Sequence, residues 1–275
     1  MKLQLIPASR GVQWVRQGFA IFFKQPLGFA ALFASFMFVL FAALLLPLVG
    51  SLVLLALLPL ASLGFMIGTR KALEGRFPLP RSFIEPLQQG RAGRMAMLQL
   101  GIVYALATAL IMWLSDTVDG GALDRAMQLM SNSKTPPEAM QEALSDTRLQ
   151  LGLLLRFGLA GLLSVPFWHA PALVHWGGHA PAKALFFSLV ACWRNRGAFT
   201  VYALTWTAAI LLFAVLGNLL FAMLGQLQLM ALVAMPASLI FSTVFYVSLY
   251  FTFADCFEVD LAEPPHSSTL NEETS

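Results

Sequence analysis

Three histidines and one arginine are the residues of this 275-residue chain whose type and spacing could do chemistry. His175 and His179 stand four apart, with His169 just upstream in Trp168-His169. Two imidazoles one helical turn apart can hold a metal or a haem iron if the helix runs through both. Gly177-Gly178 between them predicts that it stops, and Trp and His are ordinary residues at a membrane boundary. Arg156 is the one formal charge well inside a long apolar run, where a charge defaults to a functional role. It lies some seven residues from the edge of its run, roughly 10 Å at helical rise, which an arginine can bridge by snorkelling. A structural role is the first expectation for it, an anion or lipid-headgroup contact the second. Asn218, the other intramembrane polar residue of interest, is expected to hydrogen-bond a neighbouring helix.

Other chemistry is missing by motif. The chain has no phosphate-binding glycine-rich loop, no Ser-His-Asp set, no His-Glu-x-x-His and no carboxylate inside an apolar run. This argues against an enzyme and against ion-coupled transport, which generally relies on intramembrane carboxylates. Cys192 and Cys256 lack metal-ligand spacing and fall near the expected cytoplasmic boundary, where thiols stay reduced. No cofactor follows from these residues.

The elements that must position these side chains are six apolar runs: Leu27–Pro47, Ser51–Thr69, Met95–Ser115, Leu149–Trp176, Ala198–Leu224 and Leu229–Ala254. Each can cross a hydrocarbon core of about 30 Å. The chain is 58% hydrophobic and 11% charged, against about 25% charged in soluble domains. In lipid every backbone polar group must be bonded internally, and continuous rather than alternating runs select helices over a barrel. The fold class expected is therefore all-α, a polytopic membrane helix bundle. The cations are one-sided. Lys24, Arg91, Arg94, Arg194 and Arg196 belong to a large set on one side of the runs, whereas only Arg125, Lys134 and Arg148 lie on the other. The positive-inside rule then places both termini in the cytoplasm of a bacterial inner membrane. These cations read as contacts to anionic lipid headgroups or a membrane partner, not to nucleic acid. The N-terminus meets Arg10, Arg16 and Lys24 before any long apolar run, unlike a cleavable signal peptide.

Between the runs a pattern repeats. Val12, Val15, Phe19 and Phe22 share one helical face behind Ser9, a candidate N-cap, and predict a helix in the headgroup plane. Ser82-Phe83-Ile84-Glu85 is a capping box opening a second short helix, and Pro181 suits the first position of a third. Pro59, Pro166 and Pro236 mark the even-numbered spans. Three units of interfacial helix plus two spans follow, at about 9–70, 81–176 and 181–256, within one integral membrane domain, 1–260. Units with two spans each share one orientation. The second carries an outer helical hairpin, 116–148, whose second helix, opening at Thr135-Pro136-Pro137-Glu138, is expected to run straight into the fourth span. Gly28, Ala31, Ala34, Gly158 and Gly161 suggest close helix packing. Asp255 and Glu258 are expected to cap the last span in contact with solvent. Residues 261–275 are polar and aperiodic, and read as a disordered cytoplasmic tail.

Ala170-Pro171-Ala172-Leu173-Val174, Lys183-Ala184-Leu185-Phe186-Phe187-Ser188 and Ala191-Cys192-Trp193-Arg194-Asn195 together resemble the signature of an uncharacterised family of proteobacterial, mainly betaproteobacterial, six-span inner-membrane proteins. More loosely, the unit of interfacial helix plus two spans resembles the membrane domain of glycerophosphodiester phosphodiesterases, without their soluble catalytic barrel. The resemblance implies location and fold but no chemistry and no functional residues. The leading expectation is a non-enzymatic scaffold or accessory subunit of a membrane complex. The second is a lipid or small-hydrophobe transporter or binding protein, and the third a haem or metal protein using His169, His175 or His179.

Overall fold

The computed structural model describes residues 2–47, 49–88, 90–132, 135–226 and 228–257. A short helical piece followed by two long helices occurs three times over. First come α1 (Arg10–Lys24), α2 (Pro26–Leu44) and α3 (Gly50–Leu73). A 3-10 turn (Pro80–Phe83) and α4 (Glu85–Gln88) then lead into α5 (Arg91–Asp119). The outer pair α6 (Ala122–Ser131) and α7 (Pro137–Ser145) follows, then α8 (Thr147–Phe167), continued by α9 (Ala170–His175). Last are α10 (Pro181–Arg194), α11 (Arg196–Met223) and α12 (Leu229–Cys256). Six helical stretches among the described residues are long and apolar enough to cross a membrane: α2, α3, α5, α8 with α9, α11 and α12. No strand is present among the described residues beyond one antiparallel bridge, Leu3 to Phe257.

Local chemistry sets the boundaries. Proline opens α2 and α10, where its missing N–H would be unpaired in any case. Gly120, at φ 59°, stops α5 with its N–H on the Asp116 carbonyl. Three boundaries differ from the sequence expectation. The Ser82 capping box does not form, because the backbone turns earlier as a 3-10 helix at Pro80 and buried Ser82 accepts instead from Lys71 Nζ at 3.4 Å. The outer helix does not run into the fourth span. Asp146 is extended (φ −60°, ψ 118°), its carboxylate accepts from the Arg148 N–H at 2.8 Å, and this N-cap starts α8 afresh. The third span continues past Ser115 to Asp119, which brings Asp116 and Asp119 into a helix expected to carry no carboxylate. The expected tail 261–275, Glu258 and Lys134 lie outside the described residues.

Burial is concentrated at the end of the bundle where Leu3 meets Phe257, termed here the termini face. The buried residues of α11 are Ala198, Tyr202 and Trp206, all in its first turns. Those of α12 begin only at Thr243. Between them lies α1, whose fully buried Trp14 packs its ring 5.3 Å from Phe199 and 5.8 Å from Tyr202. The buried face of α1 is Trp14, Val15, Gly18, Ile21 and Phe22, while Val12 is exposed. This helix follows α11 and α12 lengthwise: Gly11 abuts Ala198 and Tyr202, Gly18 abuts Val244 and Ser248, and Phe19 meets Trp206 and Phe241. Protein helices therefore hold it along its whole length. At the centre α3 packs against α2, α5 and α12.

Candidate functional site

The termini face is clasped by side chains from distant parts of the chain. Asn195, buried between α10 and α11, accepts from the Ile6 N–H at 3.0 Å and donates Nδ2 to the Gln4 carbonyl at 3.0 Å. The same amide reaches Cys256 Sγ at 3.6 Å, and the Gln4 N–H donates to the Cys256 carbonyl at 2.9 Å. Asp255 is not the solvated cap expected: it takes Arg10 Nε and Nη2, both at 2.7 Å, and Trp14 Nε1 at 2.6 Å. The bidentate bond to Asp255 raises the already high pKa of Arg10. Cys192 and Cys256 are buried free thiols, and burial pushes the Cys192 thiol up to about 12.

The cations of this face divide into two groups. Glu74 pairs with Arg70 and Arg76, Glu85 with Lys71, and Asp255 with Arg10. Burial alone would raise the Glu74 pKa, but the two guanidinium groups outweigh it and hold the carboxyl below its ordinary value. Lys24, Arg91, Arg94, Arg194 and Arg196 are exposed and form no ion pair among the described residues. Arg196 rests over the Trp193 ring at 5.8 Å.

The three histidines do different things. α9 ends at His175, and Gly178, at φ 63°, turns the chain away before His179. His169 is fully buried with Nε2 3.1 Å from Thr252 Oγ1, its backbone N–H donates to Ser188 Oγ at 3.0 Å, and its Nδ1 has no hydrogen-bond partner among the described residues. His175 packs on Trp176, and His179 lies against Phe187 with its pKa lowered by burial and by Lys183. Among the described residues no three His, Cys, Asp or Glu side chains gather as a metal site would require.

Arg156 lies against α5, where it pairs with Asp116 and stands 3.9 Å from Asp119. Asp119 is buried and also accepts the Gly121 N–H at 2.7 Å. Asn218 does not bridge helices; it is exposed and donates to the Ala214 carbonyl of its own helix at 2.8 Å, while the adjacent Gly217 takes the contact with Met230 of α12. Of the small residues singled out, only Gly28 packs closely, against Pro78. Ala31 and Ala34 are exposed, and Gly158 and Gly161 face open space. Other close approaches include those at Gly11, Gly18, Gly50, Gly64, Gly101, Gly152 and Gly217.

Sequence reasoning missed a cleft. It has a volume of about 180 Å³ and opens between α3, α5, α8 and α12. Pro59, Ser62, Tyr104, Ser164, Trp168 and Tyr246 line it together with apolar side chains. Tyr104 and Tyr246 are held by their rings, Tyr104 edge-on to Phe167 at 4.9 Å and Tyr246 stacked on Phe65 at 5.0 Å. Ser62 and Ser164 donate to the carbonyls of Pro59 and Gly161 and keep lone pairs to accept. Trp168 Nε1 donates to Thr252 Oγ1 at 3.2 Å. The available signal was the pair of in-helix prolines, since Pro59 lines the cleft and Pro166 lies two residues from Trp168 and Ser164, close to the end of α8.

No family model matches the chain, and no solved structure matches it. It is similar to a protein of Burkholderia thailandensis named a probable inner membrane protein. The two are 34% identical over 260 residues, covering 94% of this chain and 95% of the relative.

Proposed function

The chain belongs to the same family as that inner membrane protein, and from this premise we propose that it serves as a non-enzymatic scaffold or accessory subunit of a membrane complex. With six apolar helices it is a multi-pass protein of the inner membrane. In this reading the termini face is cytoplasmic, the three helix units share one orientation, and the hairpin α6–α7 stands on the far side. The observation that carries it is the division of charge on the termini face. Its described carboxylates are consumed by partners within the chain, which leaves Lys24, Arg91, Arg94, Arg194 and Arg196 available to anionic headgroups or an acidic partner. Nothing of glycerophosphodiesterase activity is carried over.

The test is affinity isolation in mild detergent, comparing the wild type with a variant in which Arg91, Arg94, Arg194 and Arg196 are all glutamine. One partner recovered reproducibly with the wild type and lost with the variant supports the reading. A monodisperse monomer with only abundant contaminants sinks it. Stability offers a second readout. Exchange from neutral to anionic nanodiscs should raise the wild-type melting temperature more than that of the variant, each headgroup contact contributing about 1 kcal/mol.

A second reading, a lipid or small-hydrophobe binding protein, is favoured by the cleft lined by Tyr104 and Tyr246, which the scaffold role leaves unused. Lipid enriched over the bulk composition in the purified protein supports it.

A further inference from the structure

The cleft between α3, α5, α8 and α12 has features that plain helix packing does not ask for. It lies deep in the membrane. Tyr104 is nine residues past Met95 and Tyr246 nine before Asp255, about 13 Å of helix in each case, close to halfway across a core of about 30 Å. At that depth no water pairs with a polar group, so a hydroxyl is either bonded within the protein or costly. The Tyr246 hydroxyl makes no hydrogen bond to any described residue, and its ring lines the cleft alongside Tyr104. Ser62 and Ser164 add two hydroxyl oxygens with free lone pairs. Four hydroxyl-bearing residues from four helices thus line one small, otherwise apolar space.

Two of the helices carry a proline where they border it, and one of them breaks. Pro59 removes a backbone donor inside α3. Pro166 does the same near the end of α8, and the chain turns at Trp168 and His169 before α9 resumes. The Val165 carbonyl accepts there from Ser188 Oγ at 3.0 Å and from Trp168 N at 3.3 Å. Breaks in helices at the junction of repeated units are one way in which membrane proteins build binding sites. The cleft also has a way in. Among the described residues α8 packs chiefly on α5 and α10, and it meets α12 through Trp168 at its end, which leaves the side between α8 and α12 the most open toward the bilayer.

We propose that this cleft binds a neutral amphiphile of the membrane, seating its hydroxyl or carbonyl group among Ser62, Tyr104, Ser164 and Tyr246 while its chain leaves between α8 and α12. The absence of charge in the lining fixes the first half of that chemistry. No Asp, Glu, Lys, Arg or His lines the cleft, so a charged group would be buried unpaired. The volume fixes the second. About 180 Å³ falls below the roughly 300–1,000 Å³ of a site that engulfs a whole ligand, so the cleft takes the polar linkage and the first part of a chain. This assignment rests on the second reading above and adds the site and the ligand chemistry.

The full-length protein in nanodiscs is exposed to a long-chain fatty alcohol carrying a mid-chain diazirine, and labelled peptides are mapped by mass spectrometry. Wild-type label is expected on the peptides around Tyr104, Ser164 and Tyr246, and weaker for the same chain without its hydroxyl. Tyr246→Phe keeps the ring and removes only the unpaired hydroxyl, so labelling should fall roughly five- to tenfold with no loss of thermal stability. Ser164→Leu should block the cleft by volume and abolish the label. Label confined to bilayer-facing positions such as Leu211 and Leu219, or label indifferent to both variants, overturns the assignment. Lipid analysis of the same samples separates the two levels. Enriched lipid that both variants retain overturns the site but leaves lipid binding standing, whereas bulk composition in the wild type overturns both.

Discussion

Asn195 illustrates how a single side chain can hold together parts of a chain that are far apart in sequence. Its amide bonds the backbone of the N-terminal arm twice and touches Cys256, so replacing it strands two backbone groups in a closed interior. Asn195→Ala should cost about 2 kcal/mol. It should free residues 2–8 to exchange amide hydrogens, while the long helices stay protected. The Arg156 cluster makes a graded prediction. Asp119 is buried, accepts the Gly121 N–H and stands 3.9 Å from Arg156, whereas Asp116 is largely exposed. Asp119→Asn should lower stability by about 2 kcal/mol in detergent melts, less than the roughly 3–5 kcal/mol of a broken buried pair because Arg156 keeps Asp116. Asp116→Asn should cost under about 1 kcal/mol. Cys192 gives a pH-dependent test. Only the thiolate is alkylated, and burial holds this thiol protonated to about pH 12. Maleimide should label the folded protein slowly at pH 7.5, with little gain at pH 9, and rapidly once it is unfolded. None of these three roles could be read from the sequence, because each depends on a partner 27 to 191 positions away.

At the scale of the helices, glycine separates real contacts from apparent ones. A Cβ added at Gly11 would lie 2.4 Å from the Ala198 carbonyl oxygen, and one at Gly101 2.3 Å from that of Ala56. Both obstacles are backbone and cannot swing aside, so Gly11→Ala and Gly101→Ala should each cost about 1–3 kcal/mol. Gly158→Ala and Gly161→Ala meet nothing within 4 Å and should be neutral, or stabilising by up to about 1 kcal/mol from helix propensity. Melting curves of the four variants decide it. The sequence displays both kinds of glycine alike, inside long apolar helices, and their facing depends on which neighbour each helix finds. The helices themselves were legible, since continuous apolar runs with proline at the first position of α2 and α10 leave little alternative. Their ends were less so. Asp146 caps α8 where an unbroken helix was expected, a choice between two local hydrogen-bonding patterns that periodicity does not rank.

For the whole molecule the first question is orientation. The cation asymmetry predicts that Glu138→Cys, on the outer hairpin, reacts with a membrane-impermeant maleimide added to intact cells. Arg81→Cys should react only after the inner membrane is opened; the reverse pattern would invert the topology. By itself the sequence determined that this is an α-helical membrane protein with six crossings, because composition and run length answer to the solvent, lipid tolerates only helices or a closed barrel, and continuous apolar runs select helices. It also displayed the one-sided distribution of the cations. The tertiary structure alone decided which cations are already paired, where the termini meet, and that hydroxyls from four helices line one cleft at mid-depth. The physical reason is that lipid rewards apolar surface equally on every face of a helix. The sequence therefore carries no pattern that marks the inward face, and only packing selects it.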